Sequence, residues 1–300
     1  MNGALIVDKP AGPSSHDVVA LARRAIGVKR IGHTGTLDPL ATGVLVLLVG
    51  RATRLAQFLN ADDKEYIAGV RLGLETESGD AETRAVMSAD TPQAVDCSAA
   101  DVEDALADFR GTYWQTPPAV SAKKIAGTRA YVLARRHERV ELKPVEVTVR
   151  ELELLSYASG LAGMRVVCSA GFYVRALARD LGRRLGCGAH LETLRRTRAG
   201  RFGLDGAVTL DALVAEQTRA VERLLPMHAI LADMPAVTLT EQETQRAAHG
   251  NALARGTSQA AVDEGEPEGS RVQLLDATGT VVAIAERRAG GLLHPVVVLV

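Results

Sequence analysis

Aromatic side chains are scarce in this 300-residue chain: one Trp, five Tyr and four Phe. The core must therefore be mainly aliphatic, and a Tyr near a polar motif draws more notice than it would in an average protein. Cysteine is scarcer still. Cys97, Cys168 and Cys187 form an odd set without a C-x-x-C pair, which supports neither a disulfide framework nor a zinc cage and fits a reducing cytoplasm. No apolar run nears the roughly 18 residues of a membrane span. The longest, Val44 to Val49, is bounded by glycines. The first ten residues lack the basic start and long apolar segment of an export signal and read as a strand running into a turn. With 47% apolar residues the chain is neither disordered nor a stapled miniprotein, and its length suggests about two domains.

Ligand-cradling motifs are missing too. There is no P-loop, no H-E-x-x-H and no G-x-S-x-G. Gly186-Cys187-Gly188 follows a helical pattern rather than a strand and reads as a helix terminator. The seven histidines are scattered and suggest no metal site, so chemistry without cofactor or metal is the leading expectation.

Net charge is −1, from 35 basic and 36 acidic residues, but the charges are segregated. Residues 1–59 hold seven basic against three acidic groups, 111–150 eight against three, and 165–201 nine against two, while 60–110 and 202–300 are acidic. A single charge run is usually a solvated face. Three basic segments that also hold the unusual motifs point instead to phosphate neutralisation, which needs local Lys and Arg rather than global charge.

Strands and helices alternate without a regular βαβ rhythm, which predicts a mixed α+β sheet. Ser14 to Asp17 reads as a capping box for a helix that Gly27 stops, and Ser98 with Asp101 starts another. Tyr66–Leu72, Val145–Leu154 and Met164–Ser169 alternate as strands, and Val174–Leu185 carries a helical apolar stripe. Beyond Pro226 the pattern changes to short strands, with a hairpin turn at Asp276–Gly279 and a polar, mobile loop at Asp263–Ser270. The division expected is a domain over 1–230 and a small β-rich domain over 235–300.

The most unusual stretch is Gly32-His33-Thr-Gly35-Thr-Leu-Asp38-Pro39-Leu-Ala-Thr-Gly43, leading into the strand Val44–Val49. Pro39 biases Asp38 toward an extended backbone, and the glycines permit turns on both sides. An Asp-Pro alone often only caps a turn. A single carboxylate on a rigid loop, at the mouth of a buried strand and within a basic segment, suits a catalytic group presented to an anionic polymer. In Gly171-Phe172-Tyr173-Val174-Arg175, continued strand conformation puts Tyr173 and Arg175 on one side. An Arg beside a catalytic Asp keeps it ionised and oriented. Tyr66 and His33 also read as core and turn residues when taken singly.

Together these residues resemble a known family. Lys9-Pro10-x-Gly12 with Ser14-Ser15, the Asp38 motif, Asp63-Lys-x-Tyr66, Gln115-Thr-Pro-Pro118 with Ser121-Ala-x-Lys124, Gly171-x-Tyr-x-Arg175 and Leu194-Arg-Arg196 look like those of the TruB pseudouridine synthases. They come in the family's order over roughly residues 5–200. The resemblance implies the pseudouridine synthase α+β fold, a mixed and largely antiparallel sheet with flanking helices, catalytic over 1–230, followed by a PUA-like β-rich domain over 235–300. It implies isomerisation of uridine to pseudouridine at position 55 in the T-loop of tRNA. The base is flipped out, its N1–C1′ bond is broken, and the bond is remade at C5. Asp38 then matches the essential aspartate, as nucleophile or as base at the ribose. Tyr66 matches the tyrosine that stacks on the base, and Arg175 the partner of the aspartate. His33, Tyr173, Leu194 and Lys9 fall in the group that holds RNA or base, Lys9 with a more structural part. No cofactor, metal, membrane or obligatory protein partner is implied, and the place of action is the cytoplasm. Two rivals are a guide-RNA-dependent relative and a non-catalytic RNA-binding module. A glycosidase would need a second carboxylate about 5–9 Å from the first, and none accompanies Arg175 in its motif.

Overall fold

The computed structural model describes residues 1–82, 96–119, 124–125, 128–129, 142–254 and 267–300. Ser121 of the Gln115–Lys124 motif and the first four residues of the polar loop Asp263–Ser270 lie outside the described residues. In chain order the strands are β1 (Gly3–Lys9), β2 (Ile31–Thr34), β3 (Thr42–Val49), β4 (Lys64–Leu72), β5 (Gly111–Gln115), β6 (Lys124–Ile125), β7 (Thr128–Arg129), β8 (Val145–Ala158), β9 (Leu161–Cys168), β10 (Ala189–Ala199), β11 (Phe202–Gly203) and β12 (Val208–Thr209). The main sheet has ten strands in the order β12-β1-β3-β10-β4-β9-β8-β5, with β2 beside β3 and β11 beside β10, while β6 and β7 pair with each other. Only β1–β12 and β3–β10 run parallel among its pairs. The sheet is mixed and largely antiparallel, as expected.

Helix α1 (Ser15–Ile26) opens with the Ser14–Asp17 capping box and stops at Gly27, whose φ is 75°. The left-handed turn there suits Gly. Two further short helices, α2 (Ala56–Leu59) and α3 (Ala99–Leu106), follow; α3 is capped reciprocally by Ser98 and Asp101. Helix α4 (Val174–Arg184) begins directly after Tyr173, and α5 (Leu210–Glu216) is capped by Thr209. Val18, Ala22 and Ile26 of α1, Val102 and Leu106 of α3, Leu177 and Leu181 of α4 and Leu213 of α5 pack on one face of the sheet. That face is filled from the sheet side by Leu5, Val7, Leu45, Leu47 and Val70.

Among the described residues, the opposite face is covered at one end. Ala4, Ile6, Val44, Val46 and Leu48 meet Met227 and Ile230 of α6 (Met227–Ile230) and Val281, Ile284, Val297 and Leu299 of the C-terminal region. This explains why Val44–Val49 is apolar at every position: both faces of β3 are buried, and alternation survives only where one face is wet. The C-terminal region forms a four-stranded sheet of β13 (Ala236–Thr238), β14 (Arg271–Leu275), β15 (Val281–Arg288) and β16 (Leu292–Val298), in that order. It has a core of its own around Val237, Leu253, Val272, Leu274 and Leu293. The strands match the sequence reading, but α7 (Glu241–Ala248), capped by Thr240 and Glu243, was not anticipated. Nor was α5. Both are seven or eight residues long and carry too little periodic pattern to stand out.

Candidate active site

Four pieces of chain hold the loop that carries Asp38. Lys9, fully buried at the end of β1, donates from Nζ to the carbonyls of Pro10 at 2.8 Å and Pro39 at 3.1 Å. The Gly12 amide donates to the same Pro39 carbonyl at 2.9 Å. Ser15 donates from Oγ to the Leu37 carbonyl at 2.9 Å and accepts from the Leu37 amide at 2.8 Å. Arg196 of β10, also buried, donates from Nε to the Val44 carbonyl at 2.7 Å and from Nη2 to Gly35 at 3.1 Å. The loop can run this close only because residue 43 is Gly. Its φ is +99°, and a Cβ there would lie 2.1 Å from the Arg196 carbonyl oxygen.

Lys9 therefore corrects the sequence reading. Its ammonium is spent on backbone carbonyls beneath the loop and reaches no surface, so it positions Asp38 and does not contact RNA. Burial, opposed by the Glu82 and Asp38 carboxylates, lowers its pKa to about 8.

Asp38 sits in a cleft of about 450 Å³ with Tyr66, Tyr173, Arg175, Leu194, His33 and Arg196 among the lining residues. Arg175 Nε lies 2.9 Å from Asp38 Oδ2, and the Arg175 side chain is 6% exposed while that of Asp38 is 33% exposed, open to the cleft. The route to this pairing differs from the one expected. Tyr173 keeps an extended backbone (φ −118°, ψ 112°), but the strand does not continue through it, and Arg175 already belongs to the first turn of α4. Tyr173 is fixed by Gln115 of β5, which accepts from the Tyr173 amide at 2.9 Å and donates to its carbonyl at 3.1 Å.

A second carboxylate is present behind the pair. Asp80, 5% exposed, lies 3.6 Å from Arg175 Nη1, which also donates to the Ser78 carbonyl at 3.0 Å. Ser78 donates from Oγ to Asp80 Oδ1, and Thr76 Oγ1 to the Asp80 carbonyl at 2.6 Å. The motif around Arg175 held no acid because the acid comes from a distant turn. Asp80 does not line the cleft, so it does not supply the pair across a substrate that a glycosidase needs. Burial raises the Asp38 carboxyl above its ordinary range; Arg175 opposes this, and Asp80 adds to the rise. The expected ion pair is thus there, but desolvation outweighs it.

Tyr66 of β4 presents its ring from the helix-covered face. Burial raises its phenol, and Arg196, hydrogen-bonded to it, opposes the rise, so Tyr66 is neutral at physiological pH. Burial likewise lowers His33, assisted by Arg196 and His16. His33 Nδ1 is buried with no hydrogen-bond partner among the described residues. All the cleft residues named from sequence are brought together here. Asp80, Ser78, Gln115 and Arg196 were not singled out, although Gln115 and Arg196 stood within quoted motifs.

Residues 23–174 match the TruB family pseudouridylate synthase N-terminal domain, and residues 175–232 match the tRNA pseudouridylate synthase B C-terminal domain. The chain belongs to the TruB family of pseudouridine synthases. It is 44% identical to a tRNA pseudouridine synthase B of Solibacter usitatus, over 100% of both chains. To one of Burkholderia pseudomallei it is also 44% identical, over 98% of this chain and 96% of that one. The TruB fold recurs in solved structures. An H/ACA RNP bound to a substrate RNA containing 2′-deoxyuridine superposes with a TM-score of 0.74 at 25% identity, covering 99% of this chain and 85% of that one. A Cbf5-Nop10-Gar1 complex gives 0.71 at 27% identity, covering 96% and 79%. This TruB chain is an enzyme that makes pseudouridine. No helix among the described residues is long and apolar enough to cross a membrane, and none of their His, Cys, Asp and Glu residues cluster to hold a metal.

Proposed function

We propose that this chain converts uridine 55 in the T-loop of tRNA to pseudouridine, taking the T-arm stem-loop alone, in the cytoplasm, with no guide RNA, metal or protein partner. Support comes from the Asp38–Arg175 pair at 2.9 Å in a cleft with no other carboxylate among its described lining residues. The flipped uridine enters this cleft, Asp38 acts on the ribose, and the N1–C1′ bond breaks while the base stays held. Tyr66 and Leu194 cover the base, and contact with an aromatic ring returns roughly 1–3 kcal/mol of the stacking lost on flipping. The base turns, C5 bonds to C1′, and the C5 proton passes to water beside the Tyr66 phenol while N1 takes up a proton, so that the isomerisation exchanges no net proton. Arg196, bonded to that phenol, keeps the Tyr66 ring oriented against the base. His33, neutral and with a buried free nitrogen, meets a polar atom of the extruded nucleotide. Tyr173 closes the wall, and the β-rich unit over 235–300, read as PUA-like, grips the RNA while 1–230 performs the chemistry.

The full-length likeness to tRNA pseudouridine synthase B at 44% identity favours this over a guide-dependent enzyme, while the H/ACA RNP and Cbf5-Nop10-Gar1 structures stand at 25–27%. The test is incubation of the purified chain with unmodified tRNA transcript, without guide RNA or added metal, followed by mapping of pseudouridine. Modification at position 55 is expected. A requirement for guide RNA, or modification elsewhere only, overturns the proposal.

A further inference from the structure

A second cavity, of about 670 Å³, lies at the seam between the main sheet and the C-terminal β-rich unit, and the uridine chemistry described above uses none of it. Phe58 of α2 and the turn after it form one wall, the turn from β10 to β11 a second, and the link into β13 with Arg271 of β14 the third. The first wall is shared. Asn60 and Lys64 line the Asp38 cleft, while Asp62 lines this cavity. Asn60 and Asp62 stand two peptide units apart, at most about 7.6 Å between their Cα atoms. A strand with its uridine in the cleft has neighbouring nucleotides within reach of the second cavity.

Hydrogen bonds fix the walls. Gln273 of β14 donates from Nε2 to the carbonyls of Leu231 at 2.8 Å and Met234 at 3.0 Å, and from its amide to Pro235 at 2.7 Å. The Gly200 amide donates to the Asp63 carbonyl at 2.8 Å and ties the other two walls together. Gly200 has a φ of +58°, and a Cβ there would lie 2.4 Å from Asp62 Oδ2, so the glycine leaves room for this carboxylate. The Arg271 guanidinium lies over the Phe58 ring, 4.9 Å from its centroid. A nucleobase can extend that stack, because bases stack on guanidinium planes as they do on rings. At the rim, Arg201 is paired loosely with the exposed Asp233 at 3.7 Å. Such a pair is worth little, and a phosphate is the stronger partner for a guanidinium.

Asp62 discriminates among bases. Its carboxylate accepts no hydrogen bond from the described residues, and the nearby Lys64 ammonium is spent on the carbonyls of Asn60 and of Asp62 itself. A carboxylate accepts through two oxygens side by side. Guanine offers it two parallel donors, N1–H and N2–H. Adenine and cytosine set one amino group beside a ring nitrogen whose lone pair would face the second oxygen, and uracil has one N–H between two carbonyls.

We propose that this cavity binds a guanosine of the RNA substrate. Arg271 stacks on the base, Asp62 accepts from N1 and N2, and Arg201 holds the phosphate. The assignment to RNA rests on the stem-loop reading given above, so one arm of the test is independent of it.

In that arm the full chain is titrated with guanosine 5′-monophosphate, and separately with adenosine 5′-monophosphate, while the methionine methyl signals are followed by NMR. Met234, which lines the cavity, is assigned through Met234→Leu. We expect the guanosine nucleotide alone to shift this methyl, and the shift to vanish in Asp62→Asn, whose amide presents one donor and one acceptor. In the second arm affinity is measured for T-arm hairpins in which each guanosine in turn is inosine, which lacks the N2 amino group. One substitution should weaken binding to the wild type about tenfold and have no effect on binding to Asp62→Asn. With the unsubstituted hairpin, Asp62→Asn should raise KM far more than it slows single turnover at saturating RNA. Arg271→Lys keeps the charge, loses the stacking plane and should weaken binding of the same guanosine. No shift with either nucleotide, equal shifts with both, or an inosine effect that persists in Asp62→Asn would each overturn the proposal. A guanosine nucleotide that binds while no position of a bound and modified hairpin responds would make this a free-nucleotide site and overturn the RNA assignment. A positive first arm with a hairpin that is never modified supports the guanine pocket and overturns the T-arm reading instead.

Discussion

Replacing the Asp38 carboxylate by its amide should, on the proposed chemistry, abolish turnover without weakening the fold, and Asp38→Asn tests the energetics of the site directly. An ion pair at the 2.9 Å separation of Asp38 and Arg175 gains about 6 kcal/mol at an effective dielectric near 20. Desolvating a carboxylate costs several kcal/mol, and Asp80 lies on the far side of the same guanidinium. The balance falls on the side of burial, because the Asp38 carboxyl is raised in spite of Arg175. The folded chain therefore binds that proton more tightly than the unfolded chain does. Stability tied to Asp38 is then greatest below the ordinary carboxylate range and declines as pH climbs through the raised value. Asparagine carries no charge to bury. Wild type and Asp38→Asn should melt together near pH 4, and the variant should melt higher at pH 7. Water at the open third of the Asp38 side chain screens part of this cost. A modest gain in melting temperature at pH 7, absent near pH 4, is expected. Melting curves from pH 4 to 8, paired with single-turnover assays on tRNA, make the comparison. An Asp38→Asn that melts below wild type at pH 7, with a deficit growing as pH rises, would show that the Arg175 pair outweighs burial. Substantial pseudouridine formation by the same variant would remove Asp38 from the chemistry.

Arg175→Ala removes the cation that lies between Asp38 and Asp80, so the Asp38 carboxyl should rise further. We expect a loss of about 3–5 kcal/mol of stability at neutral pH, shrinking in acid, with single-turnover rate falling far more than affinity; unchanged stability between pH 4 and 8 would refute the network. Tyr66→Phe keeps the ring and loses the oxygen bonded to Arg196, so binding of a T-arm hairpin should persist while the chemical step slows, and equal loss in both would mean the ring alone matters. Lys9 has its pKa lowered to about 8 by burial, so the folded chain holds fewer protons than the unfolded one above that value. Wild-type stability should gain as pH rises from about 8 toward the ordinary lysine range, and Lys9→Met should lack that gain. Gly43→Ala places a methyl 2.1 Å from the Arg196 carbonyl at a φ of +99°, and should cost both stability and activity. A variant with wild-type melting would mean that the loop yields more easily than its hydrogen bonds suggest.

Much of this protein was legible in its sequence, because the information was local. Capping boxes at Ser14–Asp17 and Ser98–Asp101, glycine stops at Gly27 and Gly186, and the alternation along β4, β8 and β9 each depend on residues a few positions apart. The Asp38 loop announced itself in the same way, through glycines and a proline within twelve positions. What the tertiary structure decided depended on residues brought from afar. Asp80 reaches Arg175 across 95 positions of chain, and Lys9 proved to be a buried support because β1 ends beneath the loop. Charge by segment pointed to the right kind of partner but could not show pairings made at a distance. Arg165 and Arg198 pair with Glu65, Arg183 with Glu75 and Arg184 with Asp108, so much of the basic run 165–201 is neutralised by the acidic stretch before it. The C-terminal region likewise read as separable, yet Val281, Ile284, Val297 and Leu299 share a core with β1 and β3. Removing it would uncover an apolar sheet face, because burial is a property of both surfaces that meet, and a sequence displays them only one at a time.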